Sequence, residues 1–146
     1  MNRSIRTGST LILAATLGVA SAVASGCKQT ARVNYEDARK YPDLVQEETL
    51  NVQVFRLGTN LRLTNTTAHT LPAGTLWLNR WFFREVESVE PGESLHLPLK
   101  GFRDRYGESF RAGGFFATRD PDLVVLAQLE ANGELHGLIV VENRAE

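Results

Sequence analysis

From Leu50 the chain alternates with a period of two: Leu50, Val52 and Val54 are separated by Asn51 and Gln53, with Phe55 closing the run. Successive side chains of a strand point to opposite faces, so this pattern suits a half-buried strand and cannot form the continuous stripe that a helix buries. The same period returns at Leu61 and Leu63, at Leu95, Leu97 and Leu99, and at Leu123, Val125, Ala127 and Leu129. Turn chemistry separates these runs. In Glu90-Pro91-Gly92-Glu93, Pro pre-sets one central position and Gly can take a positive φ. Asn132-Gly133, between Leu123–Glu130 and Leu135–Glu142, is the strongest short-range hairpin signal in the chain. Gly58-Thr59-Asn60, Asn65-Thr66-Thr67 and Asp120-Pro121-Asp122 complete the set. Asn65-Thr66-Thr67 also matches a glycosylation sequon, but it is read here as a turn.

About seven short strands at roughly ten-residue spacing predict an all-β domain, an antiparallel β-sandwich with one short helix or capping loop. Thr75 to Arg84 reads as one strand with Trp77, Asn79, Trp81 and Phe83 on one face and Leu76, Leu78, Arg80 and Phe82 on the other. Two largely apolar faces make it central or bulged. Pro98 cannot donate a ladder hydrogen bond, which places the Leu95–Leu99 strand at an edge. Phe102, Tyr106 and Phe110 recur every fourth residue within Gly101–Gly114, the spacing of a short helix or compact loop over an open end of the sheet. Phe115–Thr118 is expected as a short strand, and the last two strands as a central hairpin. The Pro91-Gly92 turn leading into Leu95, Leu97 and Leu99 resembles the immunoglobulin-like modules of bacterial lipoproteins. That resemblance spans Leu50 to Val141, lacks the paired cysteines of antibody domains, and implies a fold without a function.

The N-terminus points to export. Arg3 and Arg6 precede an uncharged apolar stretch, Leu11 to Val23, too short for the roughly 20 residues of a spanning helix. Ala24-Ser25-Gly26-Cys27 follows. A charged start, a short apolar middle and a small-residue end form a secretory signal peptide. A Cys directly after it resembles the lipobox of bacterial prolipoproteins, although Ala24 stands where that pattern prefers Leu. Ala20-Ser21-Ala22 and Ala22-Val23-Ala24 are alternative cleavage sites. The resemblance implies cleavage before Cys27 and attachment of lipid to it. Two or three acyl chains, at about 0.8 kcal/mol per buried methylene, give stable anchoring where one does not. The expected organisation is a signal peptide at 1–26, a lipidated N-terminus and flexible tether at 27–48, and a β-domain at 49–146. Cys27 is the only cysteine, so no disulfide can form within the chain.

Charge excludes some partners. Sixteen basic residues stand against seventeen acidic ones, and removal of Arg3 and Arg6 with the leader makes the remainder more acidic. Nucleic acid wants a basic surface, as does a polybasic grip on anionic lipid. His69, His96 and His136 are scattered, no HExxH, CxxC, GxSxG or phosphate-loop pattern occurs, and no serine sits in an activating motif. No catalytic residue, metal site or cofactor is expected. Asp104, Asp120 and Asp122 read as solvated turn carboxylates, and Arg103, Asp104 and Arg105 as a solvated charged face. The candidate ligand-binding residues are Trp77, Trp81 and Tyr106, whose rings could form an aromatic cleft or pack as core. The resulting expectation is a non-enzymatic lipoprotein of the bacterial cell envelope, held to a membrane by its lipid and facing the periplasm or exterior. Its domain would bind an envelope protein, with an exposed sheet edge as one route; the alternative is a glycan- or peptidoglycan-binding module.

Overall fold

The structure is a computed structural model that describes residues 39–144, with side chains to residue 141. The leader, Cys27 and the tether as far as residue 38 lie outside the described residues.

Seven strands follow one another: β1 (Gln46–Leu57), β2 (Asn60–Asn65), β3 (Gly74–Leu78), β4 (Phe82–Val86), β5 (Ser94–Pro98), β6 (Ala127–Ala131) and β7 (Glu134–Arg144). They bond into one curled, half-barrel sheet of order β4-β3-β6-β7-β1-β2-β5. The domain is all-β, as its alternation implies. The sheet is mixed rather than purely antiparallel, because β1 runs parallel to β7 while bonding β2 antiparallel on its other side. The β6–β7 hairpin is central, and β5 with its Pro98 is at an edge.

The concave face holds the core. Val52 and Val54 of β1 meet Leu61 and Leu63 of β2, Leu76 and Leu78 of β3, Leu97 of β5, and Leu129 and Leu138 of the central hairpin. Each side chain of this size stabilises the fold by about 1.5–3 kcal/mol when fully buried. The curl is drawn together across its two edges. Phe83 of β4 exchanges backbone hydrogen bonds with Arg103 at 2.8 and 3.0 Å, and Arg84 Nη1 donates to the Pro98 carbonyl of β5 at 3.3 Å. The β4 edge is thus partly occupied, which narrows the room for strand addition there.

Two expectations about local structure are corrected. The predicted Thr75–Arg84 strand is a hairpin, with β3 and β4 joined by Asn79, Arg80 and Trp81, the first two at φ 56° and 59° in a turn closed by Trp81 N donating to Leu78 O at 3.0 Å. Positive φ at both central residues is the primed turn that matches strand twist. The usual Gly is absent, so the turn carried a weak signal. Of the two forms expected for Gly101–Gly114, short helix or compact loop, the structure shows the loop, entered from a 3-10 turn at Leu99–Gly101. In it Phe102 and Phe110 face each other, with Phe110 N donating to Phe102 O at 3.1 Å and Gly107 at φ 80° making the reversal. Phe115–Thr118 forms a turn rather than a strand.

Arg39, Tyr41 and Gln46 were expected in the tether, yet their side chains contact the sheet. The Tyr41 hydroxyl donates to Gln128 Oε1 at 2.8 Å, and its ring meets Trp77 edge-on at 5.3 Å. Arg39 reaches Thr75 and pairs with Glu85 at 2.7 Å. β1 itself begins at Gln46, before the expected boundary. The turn reading of Asn65 is supported by its surroundings. Its side chain is fully buried, donating to the His69 and Val89 carbonyls at 2.8 Å while accepting from Thr67.

Candidate functional site

Strand registers gather the connections at two ends. Leu57 pairs with Asn60, Asn60 with Pro98, and Leu78 with both Phe82 and Ala127. The β1–β2 turn, the β3–β4 turn and the long β5–β6 connection therefore share one end. This loop end carries most of the exposed apolar surface of the described residues: Trp81, Tyr106, Phe115, Phe116, Leu123 and Val125.

The three predicted ring residues separate here. Trp77 is completely buried, between Tyr41 and Phe83, with Nε1 donating to Glu130 Oε2 at 2.8 Å. It belongs to the packing of the convex face and cannot form a platform. Trp81, set beyond the turn by Asn79 and Arg80, is 46% exposed, and its ring lies 6.3 Å from Tyr106 with the planes 49° apart. That tilt makes a notch rather than a flat face. Arg105 stacks over both rings, at 5.4 and 4.6 Å. Such contacts contribute about 0.5–1 kcal/mol at exposed sites.

Asp104 fixes this group. It is buried rather than solvated, accepting the Tyr106 and Glu108 backbone N–H groups at 2.9 and 2.8 Å through one oxygen and Trp81 Nε1 at 3.2 Å through the other. The carboxylate shapes the loop carrying Tyr106 and ties it to the β3–β4 turn. Arg105 and Tyr106 are further linked through the hydroxyl.

The second half of the connection, Arg111 to Asp122, is a loop pinned at its base. Arg56, on the core face of β1 and fully buried, donates to the carbonyls of Asp122, Ala112 and Gly58, the last two at 2.9 and 3.2 Å. Its guanidinium also lies 5.8 Å from the Phe110 ring centre. Burial lowers the Arg56 pKa, and the Asp122 charge opposes that change. Arg111 closes the base from outside, its Nη2 2.5 Å from Asp122 Oδ1 and its backbone N–H donating to the other oxygen. Burial alone would raise the Asp122 carboxyl, but the Arg111 hydrogen bonds and the nearby positive charges outweigh it and hold the group below its ordinary value. The Asp122 hydrogen bonds also raise the Arg111 pKa.

From this base Phe115 and Phe116 project 96% and 91% exposed, edge to face at 5.0 Å. Gly113 and Gly114, at φ 82° and 114°, make the preceding backbone reversal. These phenylalanines were expected inside a strand. The signal that could have separated them is the Gly-Gly pair just before them, since paired glycines interrupt strands. Among the described residues no group of three His, Cys, Asp or Glu is arranged to hold a metal, and no helix is long and apolar enough to cross a membrane.

Compared with protein-family models, curated proteins and solved structures, the chain shows no significant match.

Proposed function

We propose that this chain is a non-enzymatic, lipid-anchored module of the bacterial cell envelope whose loop end docks onto a partner protein. The observation that carries the reading is the near-complete exposure of Phe115 and Phe116 on a base pinned by Arg56 and Asp122. Two phenylalanines left in water forgo about 1.5–3 kcal/mol each, which a partner pocket would return. A pinned base lowers the ordering cost of docking. Trp81, Tyr106 and Arg105 add the residue types that dominate binding hot spots.

The anchoring half rests on Cys27 and the leader before it. The immunoglobulin-like sandwich is the finer form of the fold we favour. Its support is the curl of the sheet around one core, which brings Leu76 and Leu78 of β3 into the same cluster as Leu61 and Leu63 of β2.

Photo-crosslinking in bacterial cells tests the docking. A crosslinker at Phe116 should give a discrete protein adduct, and one at Glu93, at the opposite end, should not. No adduct from Phe115, Phe116 or Tyr106, or adducts equally from Glu93, would overturn the reading. Metabolic labelling with a palmitate analogue tests the anchor separately: Cys27→Ser should abolish both label and membrane retention.

A further inference from the structure

The end of the sheet opposite the loop cluster is open. There β1 and β7 lose regular pairing: Gln46 meets Leu135, Thr49 meets Gly137 and Gln53 meets Ile139. Two residues of β7 are thus spanned first by three and then by four residues of β1, and the surplus backbone bulges away. Gly137 has no side chain to prevent this, since a Cβ there would lie 2.7 Å from Gln46 Nε2 and 2.8 Å from Thr49 Oγ1. Between the bulged strand, the loop after β2 and the β6–β7 turn lies a cleft of about 430 Å³. Its volume falls in the usual range for small-molecule sites, which often occupy barrel mouths.

The lining has a definite chemical character. Leu50, Leu71 and Leu129 supply apolar wall continuous with the core. Glu48 and Glu134 supply carboxylates, His69 and His136 supply imidazoles, and no Lys or Arg lines the cleft. An anion would find no countercharge. His136 is unusual among these groups. Its side chain is only 18% exposed, Nε2 lies 3.2 Å from Glu134 Oε2, and the shielded Nδ1 has no hydrogen-bond partner. If Nε2 carries the proton given to Glu134, Nδ1 is an unmet acceptor. Leaving such a group unpaired is unfavourable.

We propose that this mouth binds a small organic ammonium ion with a compact apolar body. The body lies against Leu50, Leu71 and Leu129, and the ammonium group sits between Glu48 and Glu134, within reach of His136. The inference uses neither the lipid anchor nor the loop end, and it stands or falls apart from them.

The test is an NMR titration of the full chain in detergent micelles with three probes of similar shape: phenethylammonium, 3-phenylpropanol and 3-phenylpropionate. The expected result is saturable shifts of the His136 ring and of Leu50 and Ala131 with phenethylammonium, at least tenfold weaker binding of the alcohol, and none of the carboxylate. Glu48→Gln with Glu134→Gln should weaken the ammonium at least tenfold while leaving the Trp77 indole signal in place, which shows that the domain remains folded. Equal binding of alcohol and ammonium, binding of the carboxylate, shifts confined to the Trp81 end, or no shift with any probe would overturn the proposal. So would binding of a lysine-containing peptide without binding of free phenethylammonium, since the occupant would then be a protein.

Discussion

Replacing Arg56 by Met removes the guanidinium that holds the base of the Phe115–Phe116 loop while keeping an unbranched stem against the core. Three backbone carbonyls, those of Gly58, Ala112 and Asp122, lose their charged donor. Hydrogen bonds to charged groups contribute about 1.5–3 kcal/mol each, so the gross loss is roughly 4.5–9 kcal/mol. Against it stand the desolvation penalty of a buried cation, several kcal/mol that the variant no longer bears, and water reaching carbonyls near the surface. A net destabilisation of about 3 kcal/mol follows. At roughly 4 °C per kcal/mol for a domain of this size, Tm should fall by about 12 °C. Arg56→Lys should recover only part of this, because one ammonium cannot reproduce a planar fork aimed at three acceptors. Thermal unfolding by circular dichroism measures the stability, and hydrogen exchange measures protection around 112–122. A change below about 1 kcal/mol, or unaltered protection in that loop, would refute the assignment of Arg56 as its clamp.

The remaining predictions concern other parts of the fold. Gly74→Ala should cost about 2–3 kcal/mol in denaturant unfolding, because its Cβ would fall 2.3 Å from the Glu130 carbonyl and force β3 from β6; Gly133→Ala, with open space but φ 83°, should cost about 1 kcal/mol. Acrylamide should quench one of two tryptophan populations, and Trp81→Phe should leave only the protected emission of buried Trp77; strong quenching of that remainder would contradict the packing under Tyr41. Asp122 has a depressed folded pKa, so its stabilisation is fully present above the ordinary carboxyl value near 3.9 and is lost as pH falls through the folded value. Asp122→Asn should therefore lower stability at pH 7 and flatten its decline with acid below about pH 4; an unchanged pH profile would show that Arg111 and Asp122 do not couple in solution.

Alternation at Leu50–Val54, Leu61–Leu63 and Leu95–Leu99, with the turns at Pro91-Gly92 and Asn132-Gly133, was enough to specify an all-β domain, its core faces and its central hairpin. These signals are local: a side chain's face follows from backbone geometry, and a Gly or Pro acts through its own φ. Asn79-Arg80 lay beyond that reach, because neither residue demands a positive φ and Asn79 is held by bonds to Val125 and Leu126, distant in the chain. The fourth-residue spacing of Phe102, Tyr106 and Phe110 left a short helix and a compact loop both open, and burial of Phe102 and Phe110 against the core selected the loop, which leaves Tyr106 outside. Trp77 and Trp81 looked equivalent along the chain, and only the turn between them sent one under Tyr41 and the other into solvent. Likewise Arg56 gained its role when Ala112 and Asp122, more than fifty residues away, brought their carbonyls to it. Contacts between distant segments depend on how strands order and curl, which no short-range pattern encodes. The division between the exposed loop end and the acidic mouth is therefore a property of the folded sheet.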